Sequence, residues 1–180
     1  MTRVALVVGV SGVGKSYVIG RCAANAGLIH VQASDVLRQA KADLLARTVD
    51  REELRKGQVL DNQTLLSEAF GKLRARESRP IVFDAHNIID TDDGYVEIPL
   101  EVFRLIDPYV VIALYGDPES ILGHRSRDTS RVRPDRTFGQ IAEYQALVIA
   151  LAEKHARDLG VPLRLVGAGD EEAFARAILA

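Results

Sequence analysis

The sequence predicts an α/β fold of three layers, with a parallel sheet of five strands between helices on both faces. Three observations predict it. Short apolar runs recur along the chain, stretches with helical spacing separate them, and the first run passes into a glycine-rich turn that opens a helix. A chain of 180 residues fits one domain, because two halves would each be short of core.

The runs are Val4–Val8, Ile81–Phe83, Tyr109–Leu114 and Leu163–Val166, with a weaker one at Leu28–Val31. Continuous Val, Ile and Leu without alternation marks strands covered on both faces, as in parallel sheets. Right-handed crossovers then put helices on either side. Punctuation sets the helices. Ser34 and Asp35 are placed to cap one that runs to about Arg47, and Asp61 opens another that runs to about Glu77. Asp117-Pro118-Glu119 has the form of a helix start with Pro in the first turn. Thr137 or a neighbour opens a long helix that Gly160 ends, with Ile141, Val148, Leu151 and His155 on one side. Two polar stretches read as irregular, His86–Ile98 and the basic run Arg125–Arg136.

Composition narrows the function classes. Apolar residues are 47% and charged residues 27%, an ordinary globular balance. A net charge of -2 supplies no general attraction to nucleic acid or to an anionic membrane, so any anion site must be local. The single Cys22 excludes an intrachain disulfide and reads as a buried thiol on an apolar helix face. The run Val4–Val8 is too short for a signal peptide or a membrane span. A cytoplasmic protein without nucleic-acid or membrane partners is expected.

Gly9-Val10-Ser11-Gly12-Val13-Gly14-Lys15-Ser16 fits the P-loop pattern at each fixed position, and it lies between the first strand and a helix over Tyr17–Ala26. The glycines let successive backbone N–H groups converge on one anion, and the helix N-terminus adds partial positive charge. Lys15 is placed for the β- and γ-phosphates of ATP, and the Ser16 hydroxyl for Mg²⁺. With this motif the fold becomes that of a P-loop NTPase. A second Mg²⁺ ligand is offered by Asp84, where an apolar strand ends in an acid. His86, two residues on, falls at the same end of the sheet. Five arginines, Arg125, Arg127, Arg131, Arg133 and Arg136, crowd into twelve residues with only Asp128 and Asp135 between them. That density fits a short lid that brings charge to a migrating phosphoryl group.

Beyond the P-loop, the order of several segments resembles the adenylate kinases and the wider nucleoside monophosphate kinases, over nearly the whole chain. His30-Val31-Gln32-Ala33-Ser34-Asp35-Val36-Leu37-Arg38 looks like the family's entry into its acceptor domain. Asp84-Ala85-His86, Asp90-Thr91, Gly94-Tyr95 and Asp50-Arg51-Glu52-Glu53-Leu54-Arg55-Lys56 are similar to segments of the archaeal type. Arg125, Asp128, Arg131 and Arg133 match the spacing of its lid. The resemblance implies a helical acceptor insertion over 33–78 and a lid over 125–136. It implies that Arg38, Arg51 and Arg55 bind the acceptor phosphate; Asp35 and His86 are further candidates on the substrate side. It places Arg125 near the donor base, has Arg131 and Arg133 close on the phosphates, and extends to a homo-oligomer. Departures fall mainly on the acceptor side, where Ala33-Ser34 replaces the family's Thr-Gly. In the P-loop Ser11 stands in place of the usual Pro, and Tyr17 follows Ser16 in place of Thr.

Transfer of the γ-phosphate of ATP to AMP or a related monophosphate is therefore the leading expectation. Two alternatives stay open. One is a kinase of a small hydroxyl metabolite, with Asp35 or His86 orienting the proton. The other is a nucleotide-binding regulatory protein with weak hydrolysis.

Overall fold

The structure, a computed structural model, describes residues 2–49, 59–129 and 133–179. Five parallel strands form the main sheet: β1 (Val4–Val8), β2 (Ile29–Gln32), β3 (Ile81–Asp84), β6 (Val110–Tyr115) and β7 (Leu163–Gly167). Their order across the sheet is β2-β3-β1-β6-β7, so β1 is central and the chain reverses direction of growth beside it. In open α/β sheets such a switch point is where ligands bind.

Seven helices occur among the described residues: α1 (Lys15–Ala26), α2 (Ala33–Leu45), α3 (Val59–Arg76), α4 (Leu100–Ile106), α5 (Pro118–Arg127), α6 (Phe138–Leu159) and α7 (Glu171–Leu179). Alternate residues of β1 serve opposite layers. Val4, Leu6 and Val8 pack with Leu66 and Phe70 of α3 and Phe103 of α4. Ala5 and Val7 pack with Val18 and Ile19 of α1, Ile141 and Val148 of α6, and Phe174 of α7. All five residues of β1 are buried, which is why its sequence shows no polar alternation. Each fully buried Val or Leu of this kind stabilises the fold by about 1.5–3 kcal/mol.

The helix ends follow local chemistry. Asp117 caps α5 by accepting from the Ser120 amide at 2.9 Å. Thr137 and Gln140 form a reciprocal capping box at the start of α6, and Gly160 closes that helix in the left-handed conformation. Such a cap is worth about 1 kcal/mol.

Four expectations change. α2 begins at Ala33 behind Gln32, without a side-chain cap, so Ser34 and Asp35 lie in its first turn. The described part of α3 begins at Val59, before Asp61. The basic run is not irregular throughout, since Arg125 and Arg127 complete the last turn of α5. Most consequential, His86–Ile98 contains an antiparallel hairpin, β4 (Ile88–Thr91) with β5 (Gly94–Glu97). Its alternation is real but half concealed, because the second inward residue after Ile88 is the charged Asp90. The hairpin docks on α6 through Tyr95, whose ring stacks on Tyr144 at 4.7 Å, and Tyr144 Oη donates to Ile88 O at 2.9 Å.

His155 is buried on α6 against the Phe103 ring. Burial pushes its imidazole below the usual histidine range, with the Lys154 charge acting in the same sense. The unfolded chain thus binds the proton more tightly, and the stability His155 contributes is complete above about pH 6.5 and lost as pH falls. Thermal melts should show a fall in melting temperature between about pH 7 and pH 5.5 that is smaller in His155→Leu.

Candidate active site

β1 delivers the glycine-rich loop to the C-terminal edge of the sheet, and α1 starts directly behind it. Gly12 and Gly14 both have left-handed φ, 96° and 95°. At Gly12 there is a second constraint, since a Cβ would come within 2.8 Å of Arg125 Cγ. A side chain there would meet both strain and collision.

Lys15 and Asp84 meet at the base of the loop. Register explains it: β3 pairs with β1 so that Asp84 lies opposite Val7, and Ala85 N donates to Val7 O at 3.0 Å. Lys15 Nζ donates to Gly9 O at 2.9 Å and stands 3.8 Å from Asp84 Oδ1. Ser16 Oγ donates to Asp84 Oδ2 at 3.3 Å. His30 Nε2 from β2 comes to 3.4 Å of the same oxygen, and His86 Nδ1 to 3.1 Å of Gly9 O. Burial by itself would raise the Asp84 pKa. The Lys15 charge, then the His30 hydrogen bond and the charges of His86 and His30, outweigh it and hold Asp84 below the ordinary carboxylate range. The acid is therefore ionised at neutral pH although it is buried.

A cleft of about 1080 Å³ opens over this group. Its floor is the loop Val10–Ser16 with Asp84 and His86, one end is formed by Gln32, Ala33 and Ser34, and the other by Ser120, His124 and Gly167–Gly169. The far lip is held by one side chain. Gln145 Oε1 accepts from Gly116 N at 2.8 Å, and its Nε2 donates to Gly116 O at 3.0 Å.

Most of the anticipated phosphate residues line this cleft: Ser11, Gly12, Val13, Gly14, Lys15 and Ser16 with Asp84 and His86, while Gly9 lies behind them and meets Lys15 and His86 through its carbonyl. Arg133 joins them, its Nε donating to Ser11 Oγ at 2.9 Å while its Nη2 pairs with Asp128. Others are placed elsewhere. Arg38 pairs with Asp35 at 3.3 Å on the exposed side of α2, and neither lines the cleft. Arg125 is buried on Asp90, with its Cγ packed against Gly12 of the phosphate loop. Arg51, Arg55 and Arg131 lie outside the described residues. Sequence reasoning missed His30, His124, Gln145 and Asp90. His30 and Asp90 stood in segments that carry the resemblance but received no role there, and it is β2 beside β3 that brings His30 to Asp84.

Ser16 and Asp84 supply hard oxygen donors in contact with each other, the kind that suits Mg²⁺, which keeps most of its water and takes few protein ligands. Among the described residues no group of three His, Cys, Asp or Glu could hold a metal ion. None of the described helices is long and apolar enough to cross a membrane.

A family profile described as an AAA domain matches residues 8–142. An adenylate kinase of Methanoculleus marisnigri is 30% identical over 169 residues, which cover 89% of this chain and 87% of that protein. The chain belongs to the adenylate kinase-like family of P-loop proteins. An adenylate kinase of Pyrococcus furiosus is 28% identical over 184 residues, covering 99% of this chain and 92% of the relative. Among solved structures, a shikimate kinase from Acinetobacter baumannii superposes with TM-score 0.59 at 16% identity, covering 99% of this chain and 92% of that one. A gluconokinase from Sinorhizobium meliloti reaches 0.52 at 16%, covering 98% and 89%. At such identities the structures establish the fold alone. This adenylate kinase-like chain is thus a P-loop kinase by family, with its nucleotide motif at the switch point of the sheet.

Asp84→Asn should weaken Mg²⁺-dependent binding of ADP by about tenfold or more, because the amide cannot answer Lys15 or a cation with charge. Calorimetric titration with and without Mg²⁺ measures it. Equal affinities for the variant and the parent would remove Asp84 from the site.

Proposed function

We propose that the chain transfers the γ-phosphate of ATP to a nucleoside monophosphate. The observation that carries this reading is the convergence of Lys15, Ser16 and His30 on one buried carboxylate beneath the P-loop. Its relatives' names supply the acceptor class.

Loop amides and the α1 N-terminus bind the polyphosphate of ATP. Lys15, already directed into the loop, neutralises charge on the β- and γ-phosphates. Ser16 and Asp84 would hold Mg²⁺, which supplies Lewis-acid charge to the transferring group. Arg133, 2.9 Å from Ser11 Oγ, brings a guanidinium to the crest of the loop, where negative charge grows during transfer. The acceptor enters from the side of Gln32, Ala33 and Ser34, with Arg38, Arg51 and Arg55 assigned to its phosphate. A phosphate nucleophile needs no strong base, so positioning and charge stabilisation carry the rate. Ser120, His124 and the Gly167–Gly169 turn receive the nucleoside of the donor.

One observation favours a second reading, transfer to the hydroxyl of a small metabolite. Arg38 is engaged by Asp35 outside the cleft, and the described acceptor end presents Gln32, Ala33, Ser34 and His86 in its place. His86 would then orient the hydroxyl.

A coupled assay across nucleoside monophosphates should detect ADP formation above the background of ATP hydrolysis. Its absence with every monophosphate would refute the first reading. Lys15→Ala should reduce turnover by about a hundredfold or more. Arg38→Ala separates the two acceptors: it should raise the KM of a monophosphate at least about tenfold, and leave the KM of a hydroxyl acceptor near that of the parent.

A further inference from the structure

Asp90 lies on the hairpin, outside the lining of the cleft, with its side chain only 5% exposed. Two arginines from opposite ends of the basic run converge on it. Arg125 Nη2 donates to Oδ2 at 3.1 Å, and Arg136 donates to Oδ1 from Nη2 at 2.8 Å and from Nε at 3.2 Å. Each arginine also grips backbone: Arg125 Nη2 reaches Pro134 O at 2.9 Å, and Arg136 Nη2 reaches Thr91 O at 3.0 Å. One carboxylate thus holds residues 125, 134 and 136 in a single cluster.

Stability is a poor explanation of such a cluster. Burying charges costs solvation, and apolar replacements of buried ion pairs are often neutral or better. Among the described residues, two guanidiniums share one carboxylate, and Arg125 Nη1 is buried with no hydrogen-bond partner. What the cluster does supply is fixed placement, and it reaches the phosphate loop through the Arg125 side chain and through Arg133, the chain neighbour of Pro134. The Arg125 side chain packs over Gly12 so closely that no Cβ would fit. Arg133, the residue before the gripped Pro134, reaches Ser11 Oγ.

We propose that Asp90 is a positioning residue for phosphoryl transfer. Through Arg125, Pro134 and Arg136 it sets the crest of the P-loop at Gly12 and holds Arg133 beside Ser11, without touching either substrate. The inference rests on the phosphotransfer reading above, and it adds a residue remote from the phosphates on which the reach of Arg133 depends.

The test is steady-state kinetics of ATP turnover with the accepted substrate, combined with calorimetry of Mg-ADP, on the full chain. Asp90→Asn should lower kcat about tenfold while the Kd for Mg-ADP stays within about threefold of the parent. Adding Arg133→Ala to Asp90→Asn should cost little beyond Arg133→Ala alone, since both remove the same placement. An unchanged kcat with only a lowered melting temperature would overturn the proposal, as would losses that multiply in the double variant. If Asp90→Asn fails to fold, Arg136→Gln at the more exposed edge of the cluster decides by the same criteria. A parent chain that neither binds Mg-ADP nor turns over ATP would instead refute the phosphotransfer reading, and this inference with it.

Discussion

The site depends on keeping a carboxylate charged where water is largely excluded. Asp84 is held below the ordinary carboxylate range in the interior because the Lys15 charge lies 3.8 Å away and His30 hydrogen-bonds its other oxygen. Each partner arrives by a different route: Lys15 and Ser16 from the first turn of α1, His30 from β2, and the acid itself from β3. The three routes meet only if β3 sits between β1 and β2 in the observed register. A slip of one residue would turn Asp84 to the other face of the sheet and leave Lys15 without it. The strand pairing and the chemistry of the cleft are therefore one constraint.

Charge in this protein is arranged locally rather than globally. A chain with net charge -2 still presents an anion with a helix N-terminus, a lysine and an arginine within one cleft. The balancing acids are positioned to direct those cations. Asp84 attends Lys15, Asp128 attends Arg133, and Asp90 attends Arg125 and Arg136. Each pairing restricts where a long flexible side chain can go, and so lowers the ordering cost when a phosphate is met.

How much was legible in the sequence divides along the range of the interactions. The P-loop was readable because its chemistry is local: glycines, lysine and serine act through adjacent backbone. The three central strands β3, β1 and β6 were readable because double-sided burial leaves an unbroken apolar record, whereas the edge strands β2 and β7 are only partly buried and carry His30 and Arg164. The hairpin was not, since Asp90 occupies an inward position where a hydrophobic residue is the usual sign of a strand. The ion pair of Arg125 with Asp90 was unreadable for a related reason. Its partner stands 35 residues away, and nothing in the basic run discloses that a buried acid will claim it. His30 was noticed only as part of a resemblance, since its contact with Asp84 exists through neighbouring strands. Arg38 shows another limit: the resemblance implies a phosphate ligand, and spacing gave no sign of its pairing with Asp35 one turn earlier.

Gln145 ties the turn after β6 to the longest helix with both halves of a single carboxamide. The pattern copies strand pairing, with a side chain standing in for a missing backbone partner. No other residue of that length offers a donor and an acceptor together, because Glu cannot donate when ionised and Met or Lys lacks one or both functions. The rim at Gly116 thus inherits the stiffness of α6 through a bracket that tolerates almost no replacement. In the divergence of such proteins, position 145 would be held far more narrowly than a half-buried helix residue ordinarily is.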